Sequence, residues 1–251
     1  MWKEIICLGA VFLALTIGSA AHAGLVAYYT FDEGGGDVAQ DYSGNGYDGT
    51  VVDAAWASGK IDGALDFGGV GHVELPTGVL STVSNEITVA LWQNCSETAW
   101  GVRSVAIWEY AYEGTTTEMY IYLPDKSNKV VWKAAQADSI NNVVTQDEVV
   151  GDWTHWAFTK NATTGEMKIY QNGLLWHSDT GKTDPIPGAD CSHLFIGRRP
   201  ILLTYPYYGL MDDFRIYDHE LTQAEIMALV PEPATICLLG LGGLALLRRK
   251  R

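Results

Sequence analysis

The stretch DWTHWAFTKNATTGEMKIYQNGLLWHS, Asp152 to Ser178, decides the fold because its alternation and its turns define three successive strands. Between Trp153 and Lys160, one set of alternate residues is mixed in character, and the other set carries Trp156 and Phe158. This period of two is typical of a strand inside a two-layer β structure. The first strand is therefore predicted to end near Lys160.

Two turns divide the rest of this stretch. A polar turn at residues 161–165 is followed by a β-rich segment that ends at Asn172-Gly173. Asn-Gly accepts positive φ at both central positions of a type I′ turn, so it is a strong hairpin signal. Leu174 to Trp176 then begins a third strand. The sequence predicts a three-stranded antiparallel meander of the kind found in β-sandwiches.

The first 23 residues have the composition of a secretory signal peptide. Lys3 supplies a positive charge, Ile5 to Ile17 is an apolar run, and Ala21-His22-Ala23 is a small-x-small cleavage site. The alternative is a single transmembrane helix, for which the run is short against about 30 Å of hydrocarbon. We expect residues 1–23 to be removed and the mature chain to begin at Gly24.

The last 21 residues, 231–251, form a tripartite tail. Pro231, Glu232 and Pro233 precede an apolar run at 234–247 and a basic cluster at 248–251, which would hold the cytoplasmic side of a membrane. This tail resembles the PEP-CTERM sorting signal of Gram-negative bacteria that make extracellular polysaccharide. The resemblance implies transient anchoring in the inner membrane, processing by an exosortase-type enzyme, and delivery to the cell surface or extracellular matrix. A plain tail anchor is the alternative.

The remaining body, residues 24–230, is long enough for one β-sandwich domain with a substantial core. Of 16 basic and 30 acidic side chains, five basic and two acidic ones lie in the terminal segments, which leaves 11 and 28 and a net charge of −17. Such a surface repels nucleic acid and anionic lipid. We therefore expect no nucleic-acid partner, and membrane contact only through the tail.

The body also resembles a known family along most of its length. The matching phrases are VAYYTFDEGGG from Val26, DYSGNGYDGT from Asp41, WASGKIDGALDFGG from Trp56, EITVALW from Glu86 and YGLMDDFRIY from Tyr208. These phrases resemble the laminin-G-like, concanavalin A-like jelly-roll domains. The resemblance implies a single all-β domain, an antiparallel β-sandwich with its first strand beside its last. It also implies a short terminal helix, for which Thr222 and Glu225 form a capping box.

The mature body keeps two cysteines, Cys95 and Cys191. An isolated pair in an exported protein is a candidate disulfide, and two buried free thiols are the alternative.

A structural calcium ion is the chemical hypothesis that the acidic loops favour. Calcium takes six to eight oxygen ligands, and the glycine-rich loop after Asp41 exposes carbonyl groups. The family resemblance places Asp32 and Asp41 near Asp212 and Asp213, so these four aspartates are the candidate ligands. The alternative is that Asp41 caps its turn through an Asx hydrogen bond, while Asp212 and Asp213 accept bonds from the backbone or an arginine.

Aromatic residues suggest a glycan as the ligand. Tryptophan and tyrosine rings can stack on sugar rings, and most of those in the middle of this chain are expected to be core. Trp100, Tyr112 and Tyr205 lie in polar or proline-broken stretches and are the candidate ligand-binding residues.

Three functions follow from these observations. The first is a non-catalytic surface or matrix protein whose sandwich binds a glycan, a protein ligand or another component of the extracellular matrix. The second is a polysaccharide-active enzyme, a glycosidase or lyase, on the same fold, and the third is a purely structural role. The sequence shows no run of alternating acids and no Ser-His-Asp or Cys-His signature, and His155 between two tryptophans is expected to be packed. We therefore expect no catalytic residues.

Overall fold

The computed structural model describes residues 24–111, 119–199 and 205–230. The predicted signal peptide, 1–23, and the sorting tail, 231–251, lie outside the described residues. The strands, in chain order, are β1 (Leu25–Tyr29), β2 (Val38–Ala39), β3 (Gly49–Val52), β4 (Ala55–Ser58), β5 (Gly63–Asp66), β6 (His72–Leu75), β7 (Glu86–Cys95), β8 (Val105–Ala111), β9 (Met119–Tyr122), β10 (Lys129–Ala134), β11 (Ser139–Val143), β12 (Thr154–Asn161), β13 (Glu166–Gln171), β14 (Leu174–Asp179), β15 (Cys191–Ile196) and β16 (Gly209–Tyr217).

These strands form two antiparallel sheets. The first sheet has the order β14-β13-β12-β7-β16-β5-β4, with β1 also paired to β16, and the second has the order β11-β10-β9-β8-β15-β6-β3-β2. A single large cluster of buried apolar side chains, drawn from both sheets, fills the space between them. The predicted all-β antiparallel sandwich is confirmed.

The predicted meander is confirmed as strands β12, β13 and β14. Trp156 and Phe158 of β12 point into the main core. Ala157, on the opposite face, belongs to a second cluster with Leu221 and Ile226. Both faces of β12 are therefore covered, one by the second sheet and the other by the C-terminal segment of the domain.

The closing strand β16 brings the two ends of the body together, as the family resemblance implied. One edge of β16 pairs with β7. Its other edge pairs first with β5, through Leu210 and Met211, and then with β1, from Phe214 to Tyr217. The pairing changes partner at Asp212 and Asp213, where the register against β7 shifts and Asp213 has a positive φ of 56°.

A short helix, α1 (Gln223–Ala228), ends the described chain. The Thr222 side chain accepts from the Glu225 backbone N–H, and the Glu225 carboxylate accepts from the Thr222 N–H at 2.8 Å. The predicted capping box is therefore confirmed. No helix within the described ranges is long and apolar enough to cross a bilayer.

A buried ion pair joins the two sheets at one end of the sandwich. The Lys160 side chain, at the end of β12, is fully buried, and its ammonium donates to the Asp138 carboxylate in the turn between β10 and β11. The same ammonium donates to the Lys182 carbonyl at 3.1 Å, and Asp138 also accepts from the Asp184 N–H at 2.8 Å. Both charges are thus neutralised and hydrogen-bonded inside the protein, as buried charges must be.

We expect Asp138→Ala to lower the free energy of unfolding by about 3–5 kcal/mol, because it leaves the Lys160 ammonium buried without its counter-charge. The double variant Lys160→Met, Asp138→Leu removes both charges and should recover most of that loss. Chemical denaturation of the two variants and the wild type measures this. Equal stability of the Asp138→Ala variant and the wild type would contradict a structural role for the pair.

Candidate functional site

The outer face of the second sheet carries a group of aromatic rings that is separate from the main core. Ile121 of β9 points into the core, so its neighbours Tyr120 and Tyr122 project from the opposite face. Trp108 of β8 is directly opposite Tyr120 in the register of the two strands. The Trp108 and Tyr120 rings are stacked, with centroids 5.2 Å apart and an angle of 12° between their planes.

Two arginines lie over these rings. The Arg103 guanidinium is 5.0 Å from the Tyr122 centroid and 4.6 Å from that of Tyr205. The Arg199 guanidinium is 4.7 Å from the ring of Trp108 and 5.6 Å from that of Tyr205. Tyr205 therefore links the two arginines. We call Arg103, Trp108, Tyr120, Tyr122, Arg199 and Tyr205 the arginine–aromatic cluster.

Backbone hydrogen bonds at the start of β8 and just after β15 position the two arginines. Arg103 comes just before β8, and the adjoining Ser104 donates its N–H to the Pro124 carbonyl at 2.8 Å. Arg199 follows β15, where the Gly197 N–H donates to the Ala106 carbonyl at 2.9 Å. Neighbouring strands of one sheet thus fix both backbone segments, and the stacked rings fix the side chains.

A pocket of about 330 Å³ adjoins the cluster. It is lined by Val102, Arg103, Lys126, Tyr205, Pro206 and Tyr208. Tyr205 has a positive φ of 57°, which is uncommon for a bulky residue. Such strained conformations are concentrated at ligand sites, and this one directs the ring toward Arg103.

Of the three candidate ligand-binding residues, the structure brings Tyr205 into this cluster. Trp100 is half-buried and packs against the main core, which occupies part of its ring. Tyr112 lies outside the described residues. The sequence reasoning did not select the two arginines or the rings of Trp108, Tyr120 and Tyr122, although the Tyr-x-Tyr spacing of β9 places two rings on one face.

The structure does not assemble the predicted calcium site. The Asp41 carboxylate is surrounded by donors, accepting from the N–H groups of Tyr28, Ser43 and Tyr47 at 2.9 to 3.0 Å and from the Ser43 hydroxyl at 2.8 Å. Burial opposes ionisation of Asp41, but these hydrogen bonds outweigh it and lower the carboxyl pKa. A carboxylate whose oxygens face N–H groups is a turn cap, which was the alternative reading of Asp41.

The other three aspartates have separate partners. Asp32 accepts from the Gly63 N–H at 2.6 Å. Asp213 accepts from the Tyr28 hydroxyl at 2.5 Å and forms an ion pair with Arg215 at 2.9 Å. Within the ranges that the structure covers, no three His, Cys, Asp or Glu side chains are grouped as a metal ion requires.

Asp212 is the acid with the most altered chemistry. Its side chain is 1% exposed, and one carboxyl oxygen accepts from the Ile61 N–H at 2.8 Å while the other has no partner. Burial, with a contribution from the Asp213 charge, raises the Asp212 pKa to about 7. Raised values can indicate a general acid, but the loop around Gly59 closes over this carboxyl, since a Cβ at Gly59 would lie 2.7 Å from it. Asp212 is therefore shut off from a substrate.

His155 is packed, as expected. It is 1% exposed, its ring lies edge-on to Trp92 at 5.3 Å, and burial lowers its pKa to about 3.

The predicted disulfide needs correction, because Cys95 and Cys191 are both free and buried. Cys95 ends β7 in the first sheet, whereas Cys191 begins β15 in the second. The Cys95 thiol donates to the Ser96 carbonyl at 3.6 Å, and burial raises the pKa of each thiol. The other reading of the pair, two buried free thiols, is the one that the structure supports.

Comparison with known proteins agrees with this architecture. Residues 67–227 match the family model of the concanavalin A-like lectin/glucanases superfamily, of the laminin G type. The chain belongs to this superfamily. Residues 229–251 match the PEP-CTERM protein-sorting motif, which indicates export with membrane anchoring before processing, and implies processing by an exosortase. No curated protein matches the chain.

Solved structures of the same fold include a domain of an arabinanase and the binding domain of a toxin. Domain 4 of AbnA, a GH43 extracellular arabinanase from Geobacillus stearothermophilus, in complex with arabinotriose, has a TM-score of 0.65 and 24% identity, over 82% of this chain and 98% of that one. The binding domain of botulinum neurotoxin serotype G has a TM-score of 0.62 and 16% identity, over 82% of this chain. The chain spans about half the length of that toxin domain.

We expect Asp41→Ala to lower the free energy of unfolding by about 1–3 kcal/mol, because it leaves backbone donors without an acceptor. The loss should be the same with and without a chelator of divalent cations, as measured by thermal melting. Asp147→Ala, in an exposed turn, is the control and should leave stability unchanged. A loss that appears only when calcium is present would contradict the turn-cap interpretation.

We expect Asp212→Asn to weaken the pH dependence of stability. In the wild type, the unfolded carboxyl ionises near pH 4, whereas the folded one keeps its proton to about pH 7, so its contribution is lost as pH rises through this window. Asparagine keeps an acceptor for the Ile61 N–H but cannot ionise. In denaturant titrations, the change in the free energy of unfolding between pH 4 and pH 7 should shrink by on the order of 2–4 kcal/mol. The exposed control is Asp37→Asn. If both variants show the same dependence of the free energy of unfolding on pH as the wild type, Asp212 is ionised in the folded protein and the prediction is wrong.

Proposed function

We propose that this protein is a non-catalytic glycan-binding protein of the cell surface or extracellular matrix, and that its ligand contacts the arginine–aromatic cluster. The observation that carries the proposal is the position of the cluster on the outer face of the second sheet, beside a pocket lined by Tyr205 and Pro206. Trp108 and Tyr122 are buried, so the half-buried rings of Tyr120 and Tyr205 are the ones that would meet the apolar C–H face of a sugar, while the guanidinium groups would meet its hydroxyls.

Two further observations support this proposal. The sorting motif indicates export with membrane anchoring before processing, which would bring the protein to a place where it can meet extracellular polysaccharide. The arabinanase domain with the same fold was solved in complex with arabinotriose, so a sandwich of this kind can carry an oligosaccharide.

The lining of the pocket favours binding over catalysis. Hydrolysis of a glycosidic bond needs two carboxyl groups, about 5 to 9.5 Å apart, on either side of the bond. The six described residues that line the pocket include two cations and no carboxylate. A polysaccharide-active enzyme on this fold is the competing function, and it requires an acid pair that this pocket does not supply from its described lining.

We expect Tyr205→Ala to weaken binding of the best ligand found on a glycan array by more than about tenfold, a loss of about 1.4 kcal/mol, because it removes the ring that lies between both arginines. Tyr42→Ala is the matched control. Tyr42 is 49% exposed and lines a different pocket, formed with Glu33 and Val38.

Two outcomes of that experiment would contradict the proposal. Loss of binding in the Tyr42 variant alone would place the ligand in the other pocket. Release of new reducing ends or unsaturated sugars from the bound glycan would identify an enzyme.

A further inference from the structure

The cations of the body are distributed unevenly between two kinds of partner. Those in ion pairs with carboxylates are Lys160, Lys168, Lys182 and Arg215. Arg103 and Arg199 lie on aromatic rings instead, and neither forms an ion pair with a carboxylate among residues 24–111, 119–199 and 205–230. Arg198 also has no ion pair in the described structure and donates to the Val70 carbonyl, so Arg103 and Arg199 are the two arginines that lie over aromatic rings without a carboxylate partner.

Contacts with aromatic rings restrict the position of both guanidinium groups. Arg103 contacts Tyr122 and Tyr205, and Arg199 contacts Trp108 and Tyr205, so each group is held against two rings. The Nε atoms of both arginines are buried and have no hydrogen-bond partner in the described structure. The terminal amino groups are therefore the donors that remain for a ligand. A guanidinium group is planar, and one restricted to a fixed place is suited to bidentate binding of a carboxylate.

The adjoining pocket combines charge with apolar surface. Arg103 and Lys126 supply positive charge, and Tyr205, Pro206 and Tyr208 supply ring surface. Its volume, about 330 Å³, is at the lower end of the range for small-ligand sites. A uronic acid matches this combination, because each sugar has one carboxylate and one apolar ring face.

The acidic body does not prevent this binding. At physiological ionic strength the Debye length is about 8 Å, so distant carboxylates are largely screened and the local cations dominate. Among the described residues, Asp125 acts electrostatically on Tyr120 of this cluster. Its carboxylate is engaged locally, because it accepts from the N–H groups of Ser127 and Lys129 at 2.8 and 3.1 Å.

We infer that the ligand of the arginine–aromatic cluster is an acidic polysaccharide, whose carboxylates are bound by Arg103 and Arg199. This inference rests on the proposed function and specifies the class of glycan. The surface around the pocket favours acidic over neutral glycans, because sugar hydroxyls can accept hydrogen bonds from the two guanidinium groups but offer no opposite charge and no bidentate acceptor.

The test uses the full-length protein in neutral detergent and measures its affinity for four probes by calorimetry. The probes are polygalacturonate, dextran sulfate, neutral dextran and single-stranded oligothymidylate. The double variant Arg103→Met, Arg199→Met removes both charges and keeps an apolar chain over the rings. The matched control is Arg198→Met, which removes a charge next to Arg199 whose guanidinium already donates to the Val70 carbonyl at 3.1 Å.

The wild type should bind polygalacturonate more than about tenfold more tightly than each of the other probes. The affinity of the double methionine variant for polygalacturonate should fall by more than about tenfold, whereas Arg198→Met should change this affinity by less than about twofold. The double variant Arg103→Lys, Arg199→Lys keeps the charge but not the planar fork, and should lose at least about threefold. It also provides the readout if the methionine variant does not fold.

Three results would overturn the inference, and they differ in what they leave intact. If neutral dextran binds as tightly as polygalacturonate and the methionine variant is unaffected, the ligand is a neutral glycan, and a loss in Tyr205→Ala would still support the proposed function. If dextran sulfate or oligothymidylate binds as tightly, the cluster selects charge rather than carboxylate. If no glycan binds and Tyr205→Ala changes nothing, both the inference and the proposed function are wrong.

Discussion

The pairing of Lys160 with Asp138 is the constraint that fixes how the two sheets lie against each other. An ammonium inside a sandwich is tolerated only when a counter-charge and further acceptors reach it. Asp138 comes from the second sheet, and the Lys182 carbonyl comes from the chain after β14. A second link lies close by, where the buried Trp132 indole donates to the Thr159 carbonyl at 3.1 Å. Together these contacts hold β10 in a fixed position over β12.

The position of β10 in turn determines the candidate site. Trp132 points into the core from β10, so its neighbours Val131 and Lys133 belong to the opposite face. Val131 pairs with Tyr122 and Lys133 with Tyr120. The rings under the arginines therefore project outward from the same strands whose inward-pointing side chains form part of the core. Stability of the core and geometry of the site are coupled through the alternation of β9 and β10.

Local signals in the sequence were sufficient for much of the fold. Alternation and the Asn172-Gly173 turn predicted the meander, and the Thr222 capping box predicted α1, because each depends on neighbours in the chain. The role of Lys160 could not be predicted in this way. The alternation marks Lys160 only as the last residue of a strand. Its burial depends on Asp138, 22 residues away in a turn of the other sheet. The cysteine prediction failed for a similar reason, since composition does not say whether the fold brings two thiols within bonding distance.

The site was harder to predict than the fold because the same residue types serve both. Trp132 and Tyr122 belong to one aromatic-rich segment, yet Trp132 is core and Tyr122 is on the outer face. Once the sheets are assembled, their outer faces differ in what covers them. Residues before and within α1, Leu221 and Ile226, pack on the outer face of the first sheet and bury part of it. The described part of the second sheet carries two arginines over its rings instead. Within the described ranges no helix lies over this face, and its positive charge in an otherwise acidic body is why we propose it as the binding surface.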